Sequence, residues 1–317
     1  MEATKALIEE IRKNIPEGEN VVKYLMWKLD LSKESAYRRM KGIVPFPLEE
    51  IRELVLALDF SIDEIMRKGT PKIAESDKND KNELLLSHII SYQNFVEAIS
   101  RFSQRSAIFS AKQITLAFII EYDALFELFF CAQMHRNQIF NGFRSFSKSS
   151  IPKEILTVRE SILNNFPSFK QREYILDRDL FSNIAREIQY FRRLKLISAE
   201  EVETLKLELF QILEKMETEM ETGHNEKKEE CLYYFSWLDV DTNAICVDCG
   251  DKSVTLYSCF GMPVFHNNSQ VRAHRQLLES QKKYTILISQ SSEFMRAEFI
   301  ERQKGFIESI DENKVFY

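Results

Sequence analysis

The stretch VVKYLMWKLDLSKESAYRRMKGIVPFPLEEIRELVLALDFSIDEIM, residues 21–66, carries the clearest structural signal in the chain. Its first segment presents Leu25, Leu29 and Leu31 as one apolar helical face. Ser32 is a capping residue for a second helix, in which Ser35 and Ala36 keep the packing side small and Ala36 and Met40 turn inward. Pro47 closes a turn and opens a third helix, where Ile51, Leu54, Val55 and Leu58 recur at helical spacing. Ser61 followed by Glu64 three residues on is a capping-box pattern, which predicts a short fourth helix. Short helices joined by tight turns in this order predict a helix-turn-helix head.

The middle helix has the composition of a groove reader. From Lys23 to Lys41 there are six basic residues (Lys23, Lys28, Lys33, Arg38, Arg39, Lys41) against two acidic ones (Asp30, Glu34), a local net of +4. The whole chain carries −6, which excludes a generally basic nucleic-acid coat but leaves room for a basic patch. A helix starting at Ser32 exposes Lys33, Glu34, Tyr37 and Arg38 on one side. Hydroxyls such as Ser35, an aromatic and an arginine near its amino end reach base edges. Ser32, Lys28, Arg39 and Lys41 fall where phosphates would lie.

From Lys23 to Met66 the segment resembles the helix-turn-helix of the phage-repressor-like (XRE, Cro/repressor) family. The likeness runs without a gap through Leu25, Leu29, Leu31, Ser32, Gly42, Leu48, Leu54, Ala57, Leu58, Ser61, Asp63 and Glu64. The string ESAYRRMKGIVPFPLEEI is also similar to a group of Bacteroidetes regulators with an ESAYRR wording and a GxxPF turn. The resemblance implies a DNA-binding transcription regulator. Three positions depart from the family's usual wording: Val22 for a glutamine, Arg39 for a tryptophan and Met40 for a glutamate. Look-alikes of this head also serve as protein-interaction modules, so docking of a partner protein is the alternative.

Beyond the head, 317 residues allow two or three domains. Twenty-four phenylalanines with only 8 glycines and 7 prolines favour long helices. The charged opening MEATKALIEEIRKNIPEG does not read as a secretory leader. The most apolar run, Ile114–Met134, is long enough to cross a bilayer. It holds Glu121, Asp123 and Glu127, however, each costing about 2.5–3.5 kcal/mol at a membrane centre. It therefore reads as a buried helix, either a bundle centre or a dimer seam, whose carboxylates form a wet edge or line a ligand cavity. Five irregularly spaced cysteines fit a reducing cytoplasm.

Four segments follow from these patterns: a head over 1–68, a polar linker over 69–82 (GTPKIAESDKNDKN from Gly69), a helical dimerisation and sensor region over 83–225, and a small α/β segment over 226–317. Helices are expected from Leu84, over Ile114–Met134, Ile151–Asn164, Asp179–Leu194 and Ala199–Glu221. In the tail, LYYFSWLDV, AICVDCG, SVTLYSCFG and YTILISQ read as strands, and Gln270–Gln281 and Glu293–Ile310 as helices, in the order β-β-β-α-β-α. The expected fold class is mainly α, with a helix-turn-helix domain, a central helical bundle and a small carboxy-terminal α/β segment.

No catalytic motif stands out, and neither an enzyme, a cofactor nor a metal is expected. Cys246 and Cys249 form one close pair, whereas tetrahedral zinc favours two, and strand geometry sends them to opposite faces. His266 and His274 lack a carboxylate at ligand spacing. Lys282, Lys283, Ser289, Ser291 and Ser292 are a weak candidate anion grip. The expected partners are double-stranded DNA, a second copy of the chain, and an unidentified small-molecule or protein effector.

Overall fold

Asn20 and Ser32 each start a helix with their own side chain. The Asn20 amide oxygen accepts from the backbone N–H groups of Val22 and Lys23 at 3.0 and 3.2 Å, and Ser32 Oγ accepts from Ser35 N–H at 3.2 Å. In the computed structural model, residues 2–16, 18–58, 60, 62, 65, 82–136, 151–250, 253–257 and 269–311 are described. The chain divides into two units, Met1–Asn79 and Asp80–Tyr317.

The first unit holds α1 (Glu2–Asn14), α2 (Val21–Lys28), α3 (Lys33–Met40) and α4 (Leu48–Leu58). Leu7, Ile8 and Ile11 of α1 close its core against Tyr24, Leu25, Ala36, Met40, Leu54 and Leu58, with Phe46, Phe60 and Ile65. The α2–α3 turn needs a left-handed residue, and Asp30 supplies it at φ 51°. Gly42 does so after α3, at φ 70°. The inward turn of Ala36 and Met40 is as expected. Ser61, Glu64 and residues 69–81 of the expected linker lie outside the described residues.

The second unit overturns the expected mainly-α class. Its centre is a six-stranded mixed sheet in the order β5-β4-β1-β2-β3-β6. The strands are β1 (Ser106–Ala111), β2 (Gln171–Asp177), β3 (Glu230–Ser236), β4 (Ala244–Asp248), β5 (Ser253–Tyr257) and β6 (Thr285–Leu287). β1–β2 and β2–β3 are parallel, while the remaining pairs are antiparallel. The α/β part is thus a large domain with two strands drawn from the stretch expected to be helical. SAIFSA and QREYILD are too short for apolar periodicity to separate a buried strand from a helix turn. Their pairing is also non-local, because parallel strands need a long crossover between them.

The crossovers supply the helices. Between β1 and β2 run α6 (Leu116–Ile119), α7 (Asp123–Arg136) and α8 (Lys153–Asn165); between β2 and β3 run α9 (Ser182–Arg193) and α10 (Ala199–Thr222). α5 (Asn82–Ser100) precedes the sheet, and α11 (Ser269–Gln281) and α12 (Glu293–Glu308) flank β6. Strand alternation sorts the side chains. Ala107, Phe109, Tyr174, Leu176, Tyr233 and Phe235 join the main helical core, whereas Ile108, Ile175 and Cys246 meet Leu278 of α11 on the opposite face.

The expected single helix over Ile114–Met134 is broken in two. Ile114 N–H bonds the Leu180 carbonyl, α6 ends at Ile119, and α7 restarts at Asp123. Glu208 of α10 accepts from the Ala124 and Leu125 N–H groups at 3.0 and 2.8 Å, capping α7 from 83 residues away in sequence. Arg159 Nε donates to the Ile120 carbonyl at 2.7 Å, and Arg159 pairs with Asp123 at 2.7 Å. Tertiary partners therefore hold the break. The other expected helices agree to within a few residues, and the tail keeps its β-β-β-α-β-α order. Among the described residues no helix is long and apolar enough to cross a membrane.

Candidate nucleic-acid interface

α3 owes its orientation to two small or flexible inward residues. Ala36 is fully buried and Met40 nearly so, which rotates Lys33, Glu34, Tyr37 and Arg38 outward, all exposed. Lys41 Nζ lies 4.7 Å from the centre of the Tyr37 ring, a cation–π contact that ties the end of α3 to its aromatic. Ser32 Oγ accepts from the Ser35 backbone N–H in the cap, which leaves the Ser35 hydroxyl outside that bond.

Two of the expected phosphate contacts have other partners. Arg39 Nε and Nη2 donate to both oxygens of Glu50 on α4, at 2.6 and 2.7 Å. This bidentate pair has side chains only 12 % and 17 % exposed. Arg39 is accordingly a strut between α3 and α4. Lys28 sits half-buried with Nζ 3.9 Å from Glu53 of α4. Of the six basic residues from Lys23 to Lys41, four (Lys23, Lys33, Arg38, Lys41) stay exposed and outside ion pairs among the described residues. Against Asp30 and Glu34 they leave a net of +2 among the unpaired charges of residues 23–41.

Sequence patterning missed α1 as part of the head core, although Leu7, Ile8 and Ile11 share one helical face. It also left Trp27 unremarked. Trp27 is 78 % exposed on α2, and its ring meets that of Tyr24 edge-on at 6.1 Å. Leu48 and Leu56 of α4 are exposed too.

In the second unit, Cys246 of β4 packs beside Leu278, while Cys249, one residue past the end of that strand, packs against the main core. Burial pushes the Cys249 thiol up to about 11. Among the described residues no group of three or more His, Cys, Asp or Glu side chains is arranged to hold a metal; Cys259 and His266 lie outside them. Of the candidate anion grip, Lys282 pairs with Glu173 and Glu279, and Ser289 Oγ accepts from Tyr233 N–H at 3.2 Å, while Lys283 is exposed. Of the three carboxylates in the apolar run, Glu121 reaches the rim of a cavity over the sheet, while Asp123 and Glu127 line a separate hollow with Arg159. No family model, curated protein or solved structure matches this chain.

Proposed function

We propose that the protein is a sequence-specific DNA-binding transcription regulator of the cytoplasm, acting as a homodimer through an effector-responsive carboxy-terminal unit. The observation that supports this reading is the outward face of α3, where Lys33, Glu34, Tyr37 and Arg38 stand exposed above buried Ala36 and Met40. Each side chain has chemistry suited to the major groove: Arg38 to the guanine O6/N7 edge, Glu34 to cytosine N4, and Tyr37 to a thymine methyl. Lys23, Lys33 and Lys41 supply charge for phosphates, and each lysine removed is expected to lower the salt slope of binding by about one. Arg39 is not assigned to phosphate, because Glu50 holds it through two hydrogen bonds, whereas Lys28 lies only at the edge of ion-pair distance from Glu53.

The test is selection from a pool of random duplex DNA, followed by gel shift at low salt. The parent chain should enrich a defined sequence, and the Arg38→Ala, Lys33→Ala double variant should lose it while keeping its melting temperature. Absence of retention at low salt, or a double variant that binds like its parent, removes the reading. A second reading, docking of a partner protein by the head, draws on exposed Trp27, Leu48 and Leu56. Capture of one defined polypeptide, abolished by Trp27→Ala, in a chain without nucleic-acid affinity would favour it.

A further inference from the structure

The second unit contains a cavity of about 200 Å³ between the sheet and helices α5, α6, α8 and α10. Its floor is set by strand register. Phe109, Tyr174 and Tyr233 are direct partners across β1, β2 and β3, so their rings stack face to face in a row on one side of the sheet. The Phe109–Tyr174 rings are 4.8 Å apart at 20°, and the Tyr174–Tyr233 rings 4.4 Å apart at 11°. Phe118 stands 6.3 Å from Tyr174, and Tyr92 and Phe166 complete an aromatic wall.

Among the residues that line this box, Glu219 is the one buried carboxylate. Glu219 of α10 lines the cavity with only 7 % of its surface exposed, and its carboxylate accepts from Tyr233 Oη at 2.6 Å. Among the described residues no cation lies within ion-pair distance of it. Lys215, one turn earlier on α10, reaches instead to Glu121 at the rim, at 2.9 Å. Exposed Lys227 also lines the cavity, and Arg172 has Nε 2.6 Å from Glu229. Glu229 also accepts from Phe169 N–H at 2.7 Å and Asn225 Nδ2 at 2.6 Å. Arg172 and Glu229 cancel, which leaves Glu219 as a buried carboxylate with no cation of the described residues at ion-pair distance.

We propose that this cavity binds a small organic ammonium ion, its charge against Glu219 and its body on the Phe109–Tyr174–Tyr233 floor. The floor rings stack on one another, so the row gives apolar contact to the ligand's body while its charge is met by Glu219. A buried carboxylate without a cation is costly, and a ligand cation relieves that cost. Burial raises the phenols of Tyr92, Tyr174 and Tyr233 above their ordinary values, so they stay neutral and add no competing anion. The volume lies below the roughly 300–1,000 Å³ of sites for drug-sized ligands, which favours a compact amine. This assignment stands whether or not the head binds DNA.

Titration calorimetry of the full chain with phenethylamine tests it, with 3-phenylpropionate as the probe of opposite charge. The amine is expected to bind saturably at one site, and the acid to bind at least about tenfold more weakly. Glu219→Gln, which keeps an acceptor for Tyr233, should weaken the amine about tenfold, and Phe118→Ala by several-fold. Three results overturn the proposal. They are no saturable amine binding up to about 10 mM, ten times a 1 mM dissociation constant; equal binding of amine and acid; or unchanged amine binding in a folded Glu219→Gln. Should Glu219→Gln fail to fold, Phe118→Ala and the amine–acid contrast decide, and unchanged amine binding by Phe118→Ala then overturns it.

Discussion

Removing Arg39 should loosen the head. Its guanidinium makes two parallel contacts to Glu50, at 2.6 and 2.7 Å, with side chains 12 % and 17 % exposed. An exposed pair is worth about 0.2–1 kcal/mol, and breaking a buried one by deleting one partner costs about 3–5 kcal/mol. A pair this sheltered but not fully buried falls between, so Arg39→Ala should cost about 2 kcal/mol in the opening of α3 from α4. At about 1.4 kcal/mol per tenfold, that is roughly 30-fold faster amide exchange across 33–58. Hydrogen exchange read by mass spectrometry on peptides from α3 and α4 measures this without requiring the two units to unfold together. An apolar replacement of both partners, Arg39→Met with Glu50→Leu, should recover most of the protection, because it leaves no buried charge behind. Exchange in Arg39→Ala within about twofold of the parent would refute the strut and return Arg39 to the list of phosphate contacts.

Three further outcomes follow from local geometry. Glu208→Ala strips two N–H groups at the start of α7 of their acceptor and should lower stability by about 1–2 kcal/mol, seen as a fall in the melting temperature of the second unit; an unchanged melt would show that water caps α7 equally well. Asp30→Gly should be neutral or stabilising by up to about 1 kcal/mol, since glycine adopts φ 51° without strain, whereas Asp30→Val should destabilise; the opposite order in thermal melts would sink this account of the turn. For Glu229, burial opposes its charge, but Arg172, the Phe169 N–H and Asn225 together hold its carboxyl below the usual range. A depressed folded value stabilises above the unfolded value of about 4.3 and is lost as pH falls through the folded one. Glu229→Gln should therefore trail its parent in melting temperature at pH 7 and converge with it at strongly acidic pH; a constant gap would contradict the assignment.

Much of the head could be read along the chain because its rules are short-range. Ser32 caps a helix three residues ahead, Ala36 and Met40 share a face one turn apart, and Leu54 and Leu58 repeat at helical spacing. The outward set Lys33, Glu34, Tyr37 and Arg38 follows from the same periodicity. The chemical state of the basic residues does not. Arg39 and Lys28 look no different from Arg38 and Lys33 in sequence, and only the packing of α4 against α3 and α2 brings Glu50 and Glu53 to them.

In the second unit the balance reverses. The tail strands announce themselves by β-branched and aromatic runs between turns, and α10 by its amphipathic length. β1 and β2 carry no such local mark, because segments of six and seven residues with so few apolar positions satisfy either structure equally. Their strand state is set by partners 59 or more residues away, namely Gln171–Leu176 for β1 and Glu230–Ser236 for β2. The break at Ile120–Tyr122 is likewise held by Glu208 and Arg159 from other helices. The aromatic floor exists only in that register: a slip of one residue would send Phe109, Tyr174 and Tyr233 to the opposite face. Sequence alone determined where short-range periodicity and capping suffice, while tertiary pairing decided the sheet, the cavity and which charges remain free to meet a partner.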